Sequence, residues 1–154
     1  MFYNSQPYND YCMRSVNDIL RLAWEFKDAE ILFEERRYDA AYYVAGYAVE
    51  LLLKARICKT IRIENFFDFE QNDKLLSKEA YRPFKVHDFA QLVVLSGMRP
   101  EFVEESRIAE FKRHWLVIST WKEDARYLSG KTEAEVKLFL TSIKIVAKWI
   151  EDRL

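Results

Sequence analysis

Glu50 and Lys54 are placed to act on each other. They stand four apart in the stretch RYDAAYYVAGYAVELLLKA, residues 37–55, which reads as one helix. A spacing of four puts both side chains on one face, a turn apart. The surface around them is apolar, so the pair is either solvated or the centre of a buried polar network, and a buried charge needs a partner. Lys54, Arg56, Lys59 and Arg62 form a basic cluster at the far end of the same helix. Cations there complement the helix dipole, and the same group could touch phosphate. Arg36-Arg37 and Lys112-Arg113-His114 read as solvated faces. Two cysteines, Cys12 and Cys58, and two histidines, His87 and His114, are too scattered for a disulfide framework or a metal site. No metal and no cofactor is expected.

These residues need elements to position them. The chain has 154 residues, half of them hydrophobic and 16% aromatic, enough for a single domain with its own core. Three Gly and three Pro are too few for the many turns of an all-β fold. The net charge of -1 gives no overall field toward nucleic acid or membrane. No apolar run approaches the roughly 20 residues that span a bilayer, and no signal-peptide pattern opens the chain. A reducing, cytoplasmic setting is expected.

The pattern gives five helices in an up-and-down, all-α bundle. The first runs from about Asp10 to Glu35 on the stripe Ile19, Leu22, Ala23, Phe26, Ala29 and Phe33. After a short charged turn, the second runs from about Asp39 to Lys59. Ala40, Ala41, Ala45, Gly46 and Ala48 offer a neighbouring helix a close approach. Residues 60–86 are irregular, with a short helical turn somewhere in Asn72 to Tyr81. The third helix starts at His87-Asp88 and stops at Gly97. The fourth opens on Pro100-Glu101 and runs to Tyr127 with the stripe Ile108, Phe111, Trp115 and Ile118. Thr132-Glu-Ala-Glu135 is a capping box, and the fifth helix follows through Val136, Phe139, Leu140, Ile143, Ala147 and Ile150. Tyr38, Tyr42, Tyr43 and Tyr47 cannot share one face, which leaves a dimerisation surface, snorkelled tyrosines or a ligand face. Trp115, Trp121 and Trp149 read as core or interface residues inside helices.

Three segments together resemble the HEPN domains, named for occurrence in higher eukaryotes and prokaryotes and for proposed nucleotide binding. Tyr38-Asp39-Ala40-Ala41 through Ala48-Val49-Glu50 and Leu53-Lys54-Ala55 resembles the family's second helix. His87-Asp88-Phe89 with Leu92 is similar to its His-Asp-Leu helix start. Arg126-Tyr127 after Trp121 resembles the Arg-Tyr pair that closes its fourth helix. The match spans about residues 15–153 of one domain, 1–154. It implies a dimerising bundle and a polar set of Glu50, Lys54, His87, Asp88, Arg126 and Tyr127. A buried network joining Glu50, Lys54 and Arg126 is expected, with His87 starting a helix and sharing a proton with Asp88 or Glu50.

The resemblance also implies a range of activities. Some members are non-catalytic modules that bind a nucleotide, RNA or protein, in defence or stress systems. Some pair with a minimal nucleotidyltransferase. Others are metal-independent, toxin-like endoribonucleases that use an Arg and a His four to six residues apart, one group moving a proton and the other holding phosphate. Arg82 with His87 and Arg107 with His114 meet that spacing. The second pair falls within one expected helix, separated by about 10 Å of rise. Where the family's catalytic Arg would fall stands Arg126, and the positions that would supply its His are Lys131, Thr132 and Glu133. That departure favours the non-catalytic reading, with a metal-independent RNase as the alternative.

Overall fold

The computed structural model describes residues 16–17, 19–20, 26–67 and 78–154. Among them are seven α-helices and no strand, an all-α bundle as expected. We label them α1 (Phe26–Glu34), α2 (Tyr38–Ile61), α3 (Lys78–Tyr81), α4 (Phe89–Leu95), α5 (Arg99–Glu105), α6 (Ala109–Ile118) and α7 (Glu133–Glu151), with 3-10 turns at Arg82–Phe84 and Glu123–Tyr127. Residues 16–17 and 19–20 are also helical. The rest of the expected first helix before Phe26, and Asn72 to Ser77 of the expected turn, lie outside the described residues.

Helix α2 is the axis of the bundle. It packs on α1, α4, α7 and the 123–127 turn, while α6 closes on α7. Ala41, Tyr42, Ala45, Val49, Leu52, Leu53, Ala55 and Ile57 are all buried along it. A helix apolar nearly all round belongs inside, where neighbours cover every side. Val136, Phe139, Leu140, Ile143, Val146 and Ile150 supply the facing stripe of α7.

Local chemistry sets the ends. Arg36, with φ +58, closes α1 in the left-handed region; Arg37 N–H bonds the Leu32 carbonyl at 2.8 Å and Arg36 N–H that of Phe33 at 3.0 Å. Asp88 caps α4 by accepting the Gln91 N–H at 2.8 Å, and Gly97, at φ +76, follows its end. Thr132 and Glu135 form the capping box of α7. The Asp39 carboxylate accepts from the backbone of Lys131 at 2.8 Å and of Gly130 at 3.3 Å, which ties the start of α2 to the entry of α7.

The expected fourth helix is broken in two, and Glu123–Tyr127 lies outside both halves. Ser106 donates its hydroxyl back to the Phe102 carbonyl at 2.6 Å, and Arg107 and Ile108 bond only three residues back. Ser119 and Thr120 do the same to Trp115 and Val117 and end α6. Hydroxyls that bond backbone carbonyls locally compete with helix continuation without any Gly or Pro. Arg107 and His114 therefore do not share a helix, which corrects that expectation. Trp121 likewise lies in the turn after α6, not in a helix.

Among the described residues an aromatic ring, not a helix, makes the close approach at Gly46. The Trp121 indole lies against it, so near that an added Cβ would stand 2.1 Å from Trp121 Cε2. The indole donates to the Tyr43 carbonyl at 3.2 Å and stacks on Phe89 with planes 6° apart. Of the tyrosines, Tyr42 is buried against Phe139, Tyr43 and Tyr47 join hydroxyls at 2.9 Å, and Tyr38 donates to Glu133. Among the described residues no helix is long and apolar enough to cross a membrane.

Candidate functional site

Glu50 sits on the buried side of α2 with 2% of its side chain exposed. Its Oε1 accepts from Lys54 Nζ at 2.6 Å and lies 2.9 Å from His87 Nδ1. Its Oε2 is buried without a hydrogen-bond partner. Both neighbours therefore meet one oxygen, and the Coulomb attraction there must offset the desolvation of the whole carboxylate. Helical spacing places Lys54. His87 is placed by the extended segment 85–88, which Asp88 anchors to the start of α4.

The other ring nitrogen of His87, Nε2, lies 3.0 Å from Glu123 Oε2 at the start of the 123–127 turn. His87 and Glu123 are each about two-fifths exposed, so the cluster runs from a dry end at Glu50 to a wet end at Glu123. A carboxylate only accepts hydrogen bonds. Both contacts together thus need a proton on each ring nitrogen. With Lys54, a ring so protonated would complete a set of two cations and two anions. Beside the cluster, burial first, then the hydroxyl of Tyr43, then the charges of Glu50 and Glu123 push the Tyr47 phenol above its ordinary range.

The structure replaces Arg126 in the expected network with His87. Arg126 is exposed and lies over the Tyr127 ring at 4.9 Å, and Tyr127 is 76% exposed. Arg126 belongs to a 3-10 turn that ends before α7, not to a helix packed along α2.

The two Arg/His pairs have separate partners. Arg82 is 80% exposed beside Glu79, while His87 is held by Glu50 and Glu123. Arg107 is 72% exposed beside Glu104, while His114 is buried. His114 Nδ1 lies 2.8 Å from Ser142 Oγ, whose own proton goes to the Leu138 carbonyl at 2.8 Å. Ser142 must therefore accept from an Nδ1–H, which makes His114 a core histidine with a fixed tautomer. Cys58 is buried, and burial pushes its thiol up to about 11, away from nucleophilic chemistry.

Glu123 and Ser142 were missed from sequence. Nothing marked Glu123 apart from other acids on an expected helix. Ser142 carried a signal, because it is the one hydroxyl on the buried stripe of α7. The basic cluster is dispersed: Lys54 turns to Glu50, Lys59 reaches the Leu154 carbonyl at 3.5 Å, and Arg62 closes α2 at φ +59.

Among the described residues no group of three or more His, Cys, Asp or Glu could hold a metal ion. The imidazole of His87 presents its nitrogens to two carboxylates on opposite sides, which is a bridge and not a chelate. Comparisons of the chain with protein-family models, curated proteins and solved structures give no match.

Proposed function

We propose that this chain is a non-catalytic, HEPN-like helical module that self-associates and works by binding a nucleotide, RNA or protein partner. One observation carries the reading: each histidine is already engaged inside the fold. His87 bridges two carboxylates and His114 is buried against Ser142, so neither stands with an arginine around a phosphate. A ring whose protons both point at carboxylates is not a general base in that state. Self-association is supported by the outer face of α7. Leu138 and Ile145 are exposed there, seven residues apart on one side of the helix. Defence or stress response, with a nucleotidyltransferase as partner, is the setting that the HEPN resemblance implies.

The test pairs two measurements on the purified chain. Structured RNA incubated in chelator is expected to stay intact with the wild type. Metal-free cleavage abolished by His87→Ala or His114→Ala would establish the endoribonuclease reading instead. Sedimentation velocity is expected to show a dimer that Leu138→Glu with Ile145→Glu dissociates. A wild type that stays monomeric at about 100 µM, a weak-affinity scale, would remove self-association from the proposal.

A further inference from the structure

We propose that His87 is a proton-operated clasp that holds the 123–127 turn, with Arg126 and Tyr127, against helix α2. Three elements meet at this ring: α2 through Glu50, the 85–88 segment through His87 itself, and the turn through Glu123. The charged and titratable groups around it are Tyr47, Glu50 and Lys54 of α2, Asp88 of its own segment, and Glu123 and Arg126 of the turn. Asp88 is engaged in capping Gln91, and Lys54 meets Glu50 at 2.6 Å.

The doubly protonated ring donates to both carboxylates. Loss of one proton leaves one donor, and the surroundings decide which contact survives. Glu50 is buried, and a lone pair of Nδ1 facing its Oε1 would stand unrelieved in a dry site. Glu123 is 40% exposed and can turn its carboxylate to water. The proton therefore leaves Nε2. A lone pair then faces the Glu123 carboxylate, and the turn loses its tie to α2. The clasp is closed while the ring carries both protons and opens as pH rises through its titration. Arg126 and Tyr127 lie three and four residues beyond Glu123 in the same turn, so their presentation follows the ring.

The test observes the His87 ring nitrogens and the backbone amides of 123–127 by NMR, on the whole chain, between about pH 5 and about pH 9, a range that takes in the span in which imidazole changes charge. The expected result is proton loss at Nε2 with Nδ1–H retained, and amide shifts of 123–127 that move with the same midpoint. Glu123→Ala is expected to leave the ring titrating and to abolish the coupled amide movement. Glu123→Gln, whose amide both donates and accepts, is expected to keep the turn attached on both sides of the titration. Amides of 123–127 that stay fixed while the ring titrates, or a ring that loses its Nδ1 proton instead, would overturn the proposal. These readouts need no ligand, so they stand apart from the RNA and sedimentation tests.

Discussion

At the scale of single residues, the balance at Glu50 depends on how its charge is met. Removing a carboxylate from water costs several kcal/mol, and only close partners return it. Lys54 at 2.6 Å is the nearer of the two. Lys54→Met leaves Oε1 to His87 alone, and urea unfolding is expected to show a loss of about 3 kcal/mol. Glu50→Leu with Lys54→Met removes both charges and keeps the volume, so it should lose clearly less than the single change. Equal losses in the two proteins would mean that packing, and not charge, is at stake. The four-residue spacing made this pair legible in the sequence, because helical geometry alone brings it together. Its third member was legible only in part: the sequence offered His87 a proton shared with Asp88 or Glu50 but gave the place in the network to Arg126, because His87 arrives through an extended segment whose path depends on tertiary packing.

At the scale of elements, the contact between α2 and the turn after α6 sets two effects of known size against each other. Alanine is favoured over glycine inside a helix by about 1 kcal/mol. At Gly46 its methyl would meet an indole held by a hydrogen bond to Tyr43 and a stack on Phe89, 2.1 Å away in the unrelaxed geometry. Overpacking of this kind costs about 1–3 kcal/mol and sometimes more. Gly46→Ala is therefore expected to lower stability by about 1 kcal/mol net, with a changed near-UV tryptophan spectrum. In a Trp121→Ala background the same change should stabilise, because only the helix preference remains. A loss in both backgrounds would place the clash elsewhere.

The same comparison shows what local sequence encodes. The extent of α2, the start of α4 at His87-Asp88 and the Thr132–Glu135 box were readable because each signal lies within a few residues of its effect. The breaks at 106–108 and after Ile118 were not. Serine and threonine hydroxyls bond backward at both breaks, but Thr141 and Ser142 make the same bonds inside the continuous α7, so the residue types alone do not mark a break. Gly46 announced a close approach but not its partner, which is an aromatic ring and not a helix.

For the whole molecule, the central position of α2 makes its residues report on the entire fold. Cys58 lies near the end of that helix, 1% exposed, with its thiol pushed up to about 11. Against the ordinary value of 9.0, the thiolate at neutral pH is scarcer by about a hundredfold. Alkylation of Cys58, followed by peptide mass spectrometry at about pH 8, near the ordinary thiol range, should be at least about 100-fold slower in the native chain than in urea. Its rate should rise with global unfolding. Rapid modification under native conditions would show that this end of α2 opens independently of the rest.

The bond between His114 and Ser142 has a consequence for how two helices find each other. Methyl groups along α6 and α7 would accept a slide of one turn, about 5.4 Å, with modest loss, because apolar contacts are not directional. A polar pair buried between them is directional: displaced by one turn, the imidazole N–H would face hydrocarbon. One histidine and one serine thus act as a registration mark, rejecting the near-miss alignments that a purely oily seam would tolerate.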